Sequence, residues 1–251
     1  MSGHSKWSKI KRAKGVADAK KGNIFTKLVK EIMAATKAGD PNPDGNVRLR
    51  LAIQKARDNN MPMDNIKRAI EKASGKEGGP PPTEIVLEGY GPGGIAILVR
   101  ALTENKNRTV QEVRNVFNRN GGSMAESGAV AWLFESKGVI DVDAPPGKED
   151  EFALVAIDCG AEDAKTDKGF LEVYTKPGDV EMVRNCLEVK GIKVGSAEPK
   201  LVPKTTILAN EKVATQAIKM MDMLEELDDV QDVFSNVDFT EEVMEAIKTQ
   251  V

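Results

Sequence analysis

The chain has 251 residues, of which 30% are charged, and its formal net charge at pH 7 is −3. This length allows more than one domain, and no apolar run is long enough to act as a leader or to span a membrane. We therefore predict a cytoplasmic protein without a membrane partner.

The small net charge hides an asymmetry along the chain. Residues 1–76 hold 18 Lys and Arg against 7 Asp and Glu, a balance of +11, whereas residues 77–251 hold 18 against 32, a balance of −14. A basic segment attracts a polyanion and an acidic one repels it. We therefore expect the N-terminal part to bind nucleic acid, and the acidic remainder to face solvent or a second protein partner.

The sequence offers few residues for catalysis or metal binding. His4 is the only histidine, and Cys159 and Cys186 have no C-x-x-C spacing. A single histidine excludes a His-based triad and a multi-histidine metal site, and the cysteine spacing argues against a disulfide framework or a zinc site. Acidic pairs such as Asp228 and Asp229 are expected in solvent. We predict that the protein is not an enzyme and has no metal and no cofactor.

Residues 1–21 are the most basic stretch. They contain seven Lys and Arg, one acid and an isolated tryptophan, and too few apolar side chains to bury a core. Lysine and arginine neutralise phosphates, and a tryptophan can stack on an unpaired base. A solvated, flexible tail is the alternative. We predict nucleic-acid contacts from His4, Lys6, Trp7, Lys9, Lys11, Arg12, Lys14, Lys20 and Lys21.

Apolar residues recur with a helical period in three following segments, 23–38, 46–59 and about 62–75. Any amphipathic helix carries charges outside, but here the outer charges are mostly basic. The short link at Asn60 and Met61 is compatible with a helix-turn-helix whose third helix, with Lys72, faces a DNA groove, although many helical bundles have such a link. The predicted binding residues of this segment are Lys27, Lys30, Arg48, Arg50, Lys67 and Arg68.

The middle of the chain predicts a linker at 76–82, strands at 84–88 and 95–102, a helix at 107–120 and a short strand at 129–134. Residues 89–94 match G-x-G-x-x-G, but a dinucleotide site needs that motif to open a helix, and here a β-branched run follows. We interpret the motif as a hairpin connection. Arg108 and Arg119, on the polar side of the helix, are predicted as a second phosphate contact, with a solvated face as the alternative.

Residues 138–203 follow the order strand, helix, strand, strand, helix, strand, which is that of a ferredoxin-like unit. A later helix at 211–224 and a strand at 230–235 are expected to complete the middle segment. The predicted fold is α+β and multidomain. It has a basic helical bundle (1–77), an α+β middle domain (78–134 with 205–251) and an inserted ferredoxin-like domain (135–204).

Several short motifs occur together along nearly the whole chain: Gly3-His4-Ser5-Lys6-Trp7, Arg48-Leu49-Arg50, Asn59-Asn60-Met61-Pro62, Glu88-Gly89-Tyr90-Gly91-Pro92-Gly93-Gly94 and Asp228-Asp229-Val230-Gln231. In these the chain resembles the YebC family of probable transcriptional regulatory proteins. The resemblance implies three domains, the third inserted in the second, and a cytoplasmic DNA-binding regulator.

The same resemblance leaves a second function open. Members of the wider family, including a mitochondrial translational activator, are linked to ribosomes and to the synthesis of difficult, proline-rich sequences. The alternative is therefore a translation factor that binds ribosomal RNA or tRNA. A protein-interaction adaptor that uses its acidic segments is a third possibility.

Overall fold

The structure, a computed structural model, describes residues 21–75, 82–167, 169–240, 242, 243, 245 and 246. Within these ranges it contains seven α-helices and two four-stranded antiparallel sheets, a mixed α and β architecture in agreement with the predicted class. The predicted tail contacts His4, Lys6, Trp7, Lys9, Lys11, Arg12, Lys14 and Lys20, the side chain of Lys21, and the linker at 76–81 lie outside the described residues.

The chain divides into two compact units. The larger unit contains the described residues up to Ala131 together with Ala209–Ser235, and the smaller unit contains Trp132–Leu208 with Asn236–Phe239. Among the described residues, no helix combines the length and apolarity needed to cross a membrane. The three-domain division remains a prediction.

The larger unit begins with three helices, α1 (Lys21–Ala38), α2 (Val47–Asp58) and α3 (Met63–Ser74). Their apolar faces share one core, as the helical period predicts. Asn46 caps α2 by accepting a hydrogen bond from the backbone N–H of Leu49 at 3.0 Å, and its amide donates to the carbonyl of Ala35 at 2.9 Å. One side chain thus fixes both the start of α2 and its position against α1. The core residues are Leu28, Ile32, Met33, Ala35, Leu49, Ala52, Ile53, Ala56, Met61, Ile66, Ala69 and Ala73.

The turn between α2 and α3 ends α2 with one residue in the left-handed backbone conformation. Asn60 has a φ of 58°, its N–H donates to the carbonyl of Arg57 at 2.9 Å, and the N–H of Met61 donates to the carbonyl of Ala56 at 2.9 Å. This is the paired bonding of a Schellman motif, with asparagine in place of the usual glycine. The side chain of Met61 enters the core, so the turn sets where α3 begins.

The sheet of the larger unit has the order β3-β1-β2-β9. Its strands are β1 (Thr83–Tyr90), β2 (Ala96–Thr103), β3 (Ser123–Ala125) and β9 (Val230–Ser235). Helices α4 (Lys106–Arg119) and α7 (Glu211–Glu225) belong to the same unit. Gly89 lies under α4, and a Cβ at that position would lie 2.6 Å from the carbonyl oxygen of Ser123 and closer still to the ring of Phe117.

The G-x-G-x-x-G motif joins β1 to β2 as an antiparallel hairpin, as predicted. Its last three residues, Pro92–Gly94, form a single 3₁₀ turn. No α-helix follows, because β2 begins at Ala96. The motif therefore lacks the helix N-terminus on which a pyrophosphate would lie.

The predicted short strand at 129–134 is wrong. Ala131–Leu133 form a 3₁₀ turn, and Phe134 already begins the next strand. The reason is Glu88, whose buried carboxylate accepts hydrogen bonds from the N–H groups of Gly128, Val130 and Ala131 at 2.6–2.8 Å. Burial alone would raise the pKa of Glu88, but these three donors hold it below its ordinary value. The N–H groups that a strand would pair with a neighbour are turned toward a carboxylate.

The smaller unit contains β4 (Phe134–Asp143), α5 (Glu149–Asp158), β5 (Asp163–Asp167), β6 (Phe170–Thr175), α6 (Val180–Val189) and β7 (Val194–Pro203). The sheet order is β5-β6-β4-β7, with every neighbouring pair antiparallel. This is the strand arrangement of a ferredoxin-like unit. A short parallel pair, β8 (Ile207–Leu208) with β10 (Val237–Asp238), also belongs to the smaller unit.

Cys159 and Cys186 form a disulfide with a Cα–Cα distance of 5.8 Å, so the argument from their spacing against a disulfide is wrong. Cys159 follows α5 and Cys186 lies on α6, two helices that contribute to the same apolar core. The fold brings together cysteines that are 27 residues apart in the sequence. Among the described residues, no group of three His, Cys, Asp or Glu could hold a metal ion.

Candidate nucleic-acid interface

The described residues of the larger unit include basic side chains of two classes, those exposed without an ion pair to a described residue and those bonded within the protein. On α3, Lys67, Arg68 and Lys72 are exposed, and none of them forms an ion pair with a described residue. Lys67 and Arg68 point away from the buried Ile66 and Ala69, and Lys72 flanks the buried face. Their charges are available to a ligand.

Arg57, near the end of α2, belongs to the same class of exposed cations. It is exposed, it forms no ion pair with a described residue, and it lies just before the turn that starts α3. Arg57 is not among the predicted binding residues, although its position one helical turn before Asn60 was the available signal. The exposed positions of α3 also include the acids Asp64 and Glu71, so α3 alone has only a small positive excess. We call Arg57, Lys67, Arg68 and Lys72 the α2–α3 basic cluster.

The basic residues Lys27 and Lys30 of α1 are bonded within the protein, near the C-terminal end of α7. Asn23 donates to the carbonyl of Glu226 at 2.9 Å, Lys27 donates to the carbonyl of Glu225, and Lys30 donates to the carbonyl of Asp228 at 2.9 Å. The carbonyls of Glu225 and Glu226 carry the partial negative charge of the C-terminus of α7, which cations stabilise. Lys27 and Lys30 therefore have a structural role, and their predicted contact with nucleic acid stays a prediction.

Asp229 also accepts a hydrogen bond from α1, together with others from β2 and α4. Its carboxylate is only 2% exposed, and it accepts hydrogen bonds from Lys30 at 2.6 Å, Arg108 at 2.6 Å, Thr109 at 2.6 Å and Thr103 at 3.1 Å. Burial alone would raise the pKa of Asp229, but the bonds from Lys30, Thr109 and Arg108 hold it well below its ordinary value. The expectation that this acid lies in solvent is wrong. It ties α1, β2 and α4 together.

A second set of charged side chains lies on one face of the sheet, and Gly89 and α4 lie on the other face. Arg100 on β2 pairs with Asp232 on β9 and donates to Glu31 of α1 at 3.1 Å, while Arg48 of α2 bonds Glu31 at 3.1 Å and Glu84 of β1 at 2.8 Å. Burial alone would lower the pKa of Arg100, but Asp232 and Glu31 raise it. Two guanidinium groups and three carboxylates thus hold the helices against the sheet. Arg48, one of the predicted binding residues, is therefore already paired within the protein.

The remaining predicted residues differ among themselves. Arg50 donates to the carbonyl of Pro43 at 3.4 Å. Arg108 is half exposed but pairs with Asp229, and Glu112 lies 3.8 Å away, whereas Arg119 at the end of α4 is exposed with no ion pair to a described residue. Lys67 and Arg68 are neighbours on α3, whereas Arg108 and Arg119 lie near opposite ends of α4. Each of them stays a predicted binding residue.

Comparison with known proteins places the whole chain in one family. Residues 5–76 match the N-terminal domain of TACO1/YebC proteins, and residues 82–237 match the TACO1/YebC second and third domain. The chain is 56% identical over 250 residues to a probable transcriptional regulatory protein of Dehalococcoides mccartyi, with all of both chains covered. It is 50% identical over 245 residues to a probable transcriptional regulatory protein of Trichlorobacter lovleyi, covering 98% of this chain and 99% of that one.

The fold is likewise similar to a solved structure. The crystal structure of a conserved hypothetical protein from Aquifex aeolicus matches with a TM-score of 0.83 and 43% sequence identity, and the match covers 90% of this chain and 94% of that chain. The family relationship that the sequence motifs indicated is confirmed. The chain belongs to the TACO1/YebC family.

Proposed function

We propose that this protein is a cytoplasmic, non-enzymatic regulator of transcription that binds duplex DNA through its basic N-terminal helices and the tail before them. Relatives across its full length are named probable transcriptional regulatory proteins. The observation that carries the proposal is the α2–α3 basic cluster, four exposed cations without ion pairs to described residues. The domain organisation belongs to the proposal: a helical domain for binding and two α+β domains, the third inserted in the second.

The division between paired and unpaired cations narrows the proposed contact surface. A cation that is already bonded to a carboxylate brings little net charge to a phosphate, and breaking its bond costs free energy. Lys30, Arg48 and Arg108 are in this position. The tail, the α2–α3 basic cluster and Arg119 are therefore the proposed phosphate contacts.

The test is duplex-DNA binding by the full chain and by a triple variant, Lys67→Gln with Arg68→Gln and Lys72→Gln. A matched control removes three exposed lysines of the smaller unit, Lys176→Gln, Lys190→Gln and Lys193→Gln, so both variants have the same net charge. Fluorescence anisotropy with a labelled duplex should show a loss of affinity of about tenfold or more for the first variant, since each lost phosphate contact weakens binding. The control should bind as the unmodified protein does.

Two outcomes would contradict the proposal. Equal losses in both variants would mean that net charge alone, and not this surface, governs binding. Tighter binding to ribosomal RNA or tRNA than to duplex DNA, with the same dependence on Lys67 and Arg68, would instead favour the ribosome-associated translation factor.

A further inference from the structure

The negative charge of the smaller unit is concentrated on its two helices. Residues 132–208 hold 15 Asp and Glu against 10 Lys and Arg. Helices α5 and α6 account for the whole excess, because they hold six acids and one base, whereas the rest of that range holds nine of each. The one base, Arg184, is paired with Glu188 at 2.9 Å. The acids are Glu149, Asp150, Glu151, Asp158, Glu181 and Glu188.

The same two helices expose four large apolar side chains. Leu154 is 70% exposed and Ile157 is 46% exposed on α5, while Met182 is 56% exposed and Val189 is 87% exposed on α6. The core-facing positions of both helices are already filled by residues such as Ala156 and Leu187, so these four are not part of the core. Single exposed apolar residues need no explanation, but a group on adjacent helices does.

The four side chains are arranged to form one surface. Leu154 and Ile157 are three residues apart on α5, and Met182 and Val189 are seven apart on α6, spacings that place each pair on one helix face. Gly160, just after α5, joins the two pairs. Its N–H donates to the carbonyl of Ile157 at 2.9 Å, and a Cβ built on it would lie 3.5 Å from the terminal methyl of Met182.

We propose that this face of α5 and α6, defined by Leu154, Ile157, Met182 and Val189, docks a basic amphipathic helix of a partner protein. The apolar side chains supply the contact area, and the acids on both helices match lysine or arginine on either side of the partner's apolar stripe. Acidic surroundings exclude nucleic acid from this face, because phosphates would be repelled. The inference is independent of the DNA contacts, which lie in the other unit.

The test uses a fluorescent synthetic amphipathic helix built from Leu and Lys, with a second peptide in which Glu replaces every Lys. The full chain should bind the Lys peptide, binding should weaken as salt is added, and the Glu peptide should not bind. The double variant Leu154→Gln with Met182→Gln should bind the Lys peptide about tenfold more weakly or worse. Since both side chains are exposed, its circular dichroism spectrum should match that of the unmodified protein.

Leu208→Gln is the matched control, because Leu208 is 65% exposed in the same unit but lies on β8 and not on the helices. It should leave binding of the Lys peptide unchanged. Equal binding of the Glu peptide, or an equal loss in the control, would overturn the proposal. Analytical ultracentrifugation adds one more decisive outcome: if the unmodified chain self-associates and the double variant does not, this face binds a second copy, and the proposed partner is wrong.

Discussion

The ammonium group of Lys30 lies 2.6 Å from a carboxylate oxygen of Asp229, although the two residues are 199 positions apart in the sequence. Asp229 is buried, and Arg108 bonds its other oxygen. This contact joins α1, the first helix among the described residues, to the segment that leads into β9. A lysine that the helical period assigns to solvent thus stabilises the fold.

Removing the charge of Asp229 should destabilise the protein. Asp229→Asn leaves Lys30 and Arg108 facing a neutral amide, and we expect a cost of about 3 kcal/mol in the free energy of unfolding, as for a broken buried ion pair. Urea unfolding followed by circular dichroism at pH 7 measures it. The control is Asp228→Asn, whose exposed side chain should cost almost nothing. Equal effects of the two substitutions would contradict the buried role of Asp229.

The same carboxylate predicts a pH dependence. Its pKa in the folded protein is held below the unfolded value of roughly 4, so its stabilisation is complete above that value and is lost as the pH falls below it. The free energy of unfolding of the unmodified protein should therefore decrease below about pH 4 more steeply than that of Asp229→Asn. Parallel pH profiles for the two proteins would show that Asp229 does not titrate with a lowered pKa.

Arg100 should be needed to hold three carboxylates together. Arg100→Gln leaves Glu31, Glu84 and Asp232 with Arg48 as the nearest base, and we expect a loss of roughly 3–5 kcal/mol at pH 7. Chemical unfolding at pH 7 is the measurement, with the exposed Arg114→Gln as a control that should cost almost nothing. A loss no larger than that of the control would contradict the role of Arg100 in holding these carboxylates together.

The left-handed turn at Asn60 gives a prediction about backbone conformation. Asn60→Ala places a Cβ at a φ of 58° and should cost about 1 kcal/mol, whereas Asn60→Gly should be neutral or slightly stabilising. Thermal unfolding of both variants decides this. Equal melting temperatures for the Ala and Gly variants would contradict the geometry of the turn.

We expect that Gly89 is required for close packing inside the protein, and not for binding a cofactor. Gly89→Ala would drive a methyl group into Phe117 and the carbonyl of Ser123, so we expect a loss of several kcal/mol or failure to fold. Gly94→Ala is the control, because its Cβ meets no atom within 4 Å and only its φ of 77° opposes the change. If both substitutions have the same small effect in a thermal melt, the close packing at Gly89 is wrong.

The sequence was sufficient to predict the long helices and strands because their signals are local, whereas the short strands β3, β8 and β10 were missed and the strand at 129–134 was wrongly predicted. The apolar period places α1, α2 and α3, and the β-branched run after Gly94 identifies β2, because burial on one face repeats at fixed spacing. The partners of charged side chains are not local. Lys30 and Asp229, or Cys159 and Cys186, meet only after the strands between them have paired, so no nearby residue reports the contact.

The same limit applied to the candidate site. A cation that faces solvent and a cation that bonds the end of a distant helix have the same appearance in a helical pattern. Lys27 and Lys67 were therefore predicted to act alike, and only the tertiary structure separates them. Arg57 was missed for the related reason that its importance depends on the turn that follows it.

The salt dependence of DNA binding tests the central claim most directly. For the full chain on a duplex, the logarithm of the binding constant should fall linearly with the logarithm of salt concentration, with a slope of about −0.9 for each phosphate contacted. The variant that replaces Lys67, Arg68 and Lys72 with Gln should have a slope shallower by about 0.9 for each contact it loses. The control variant at Lys176, Lys190 and Lys193 should keep the original slope. Identical slopes for all three proteins would show that the α2–α3 basic cluster does not contact the phosphates.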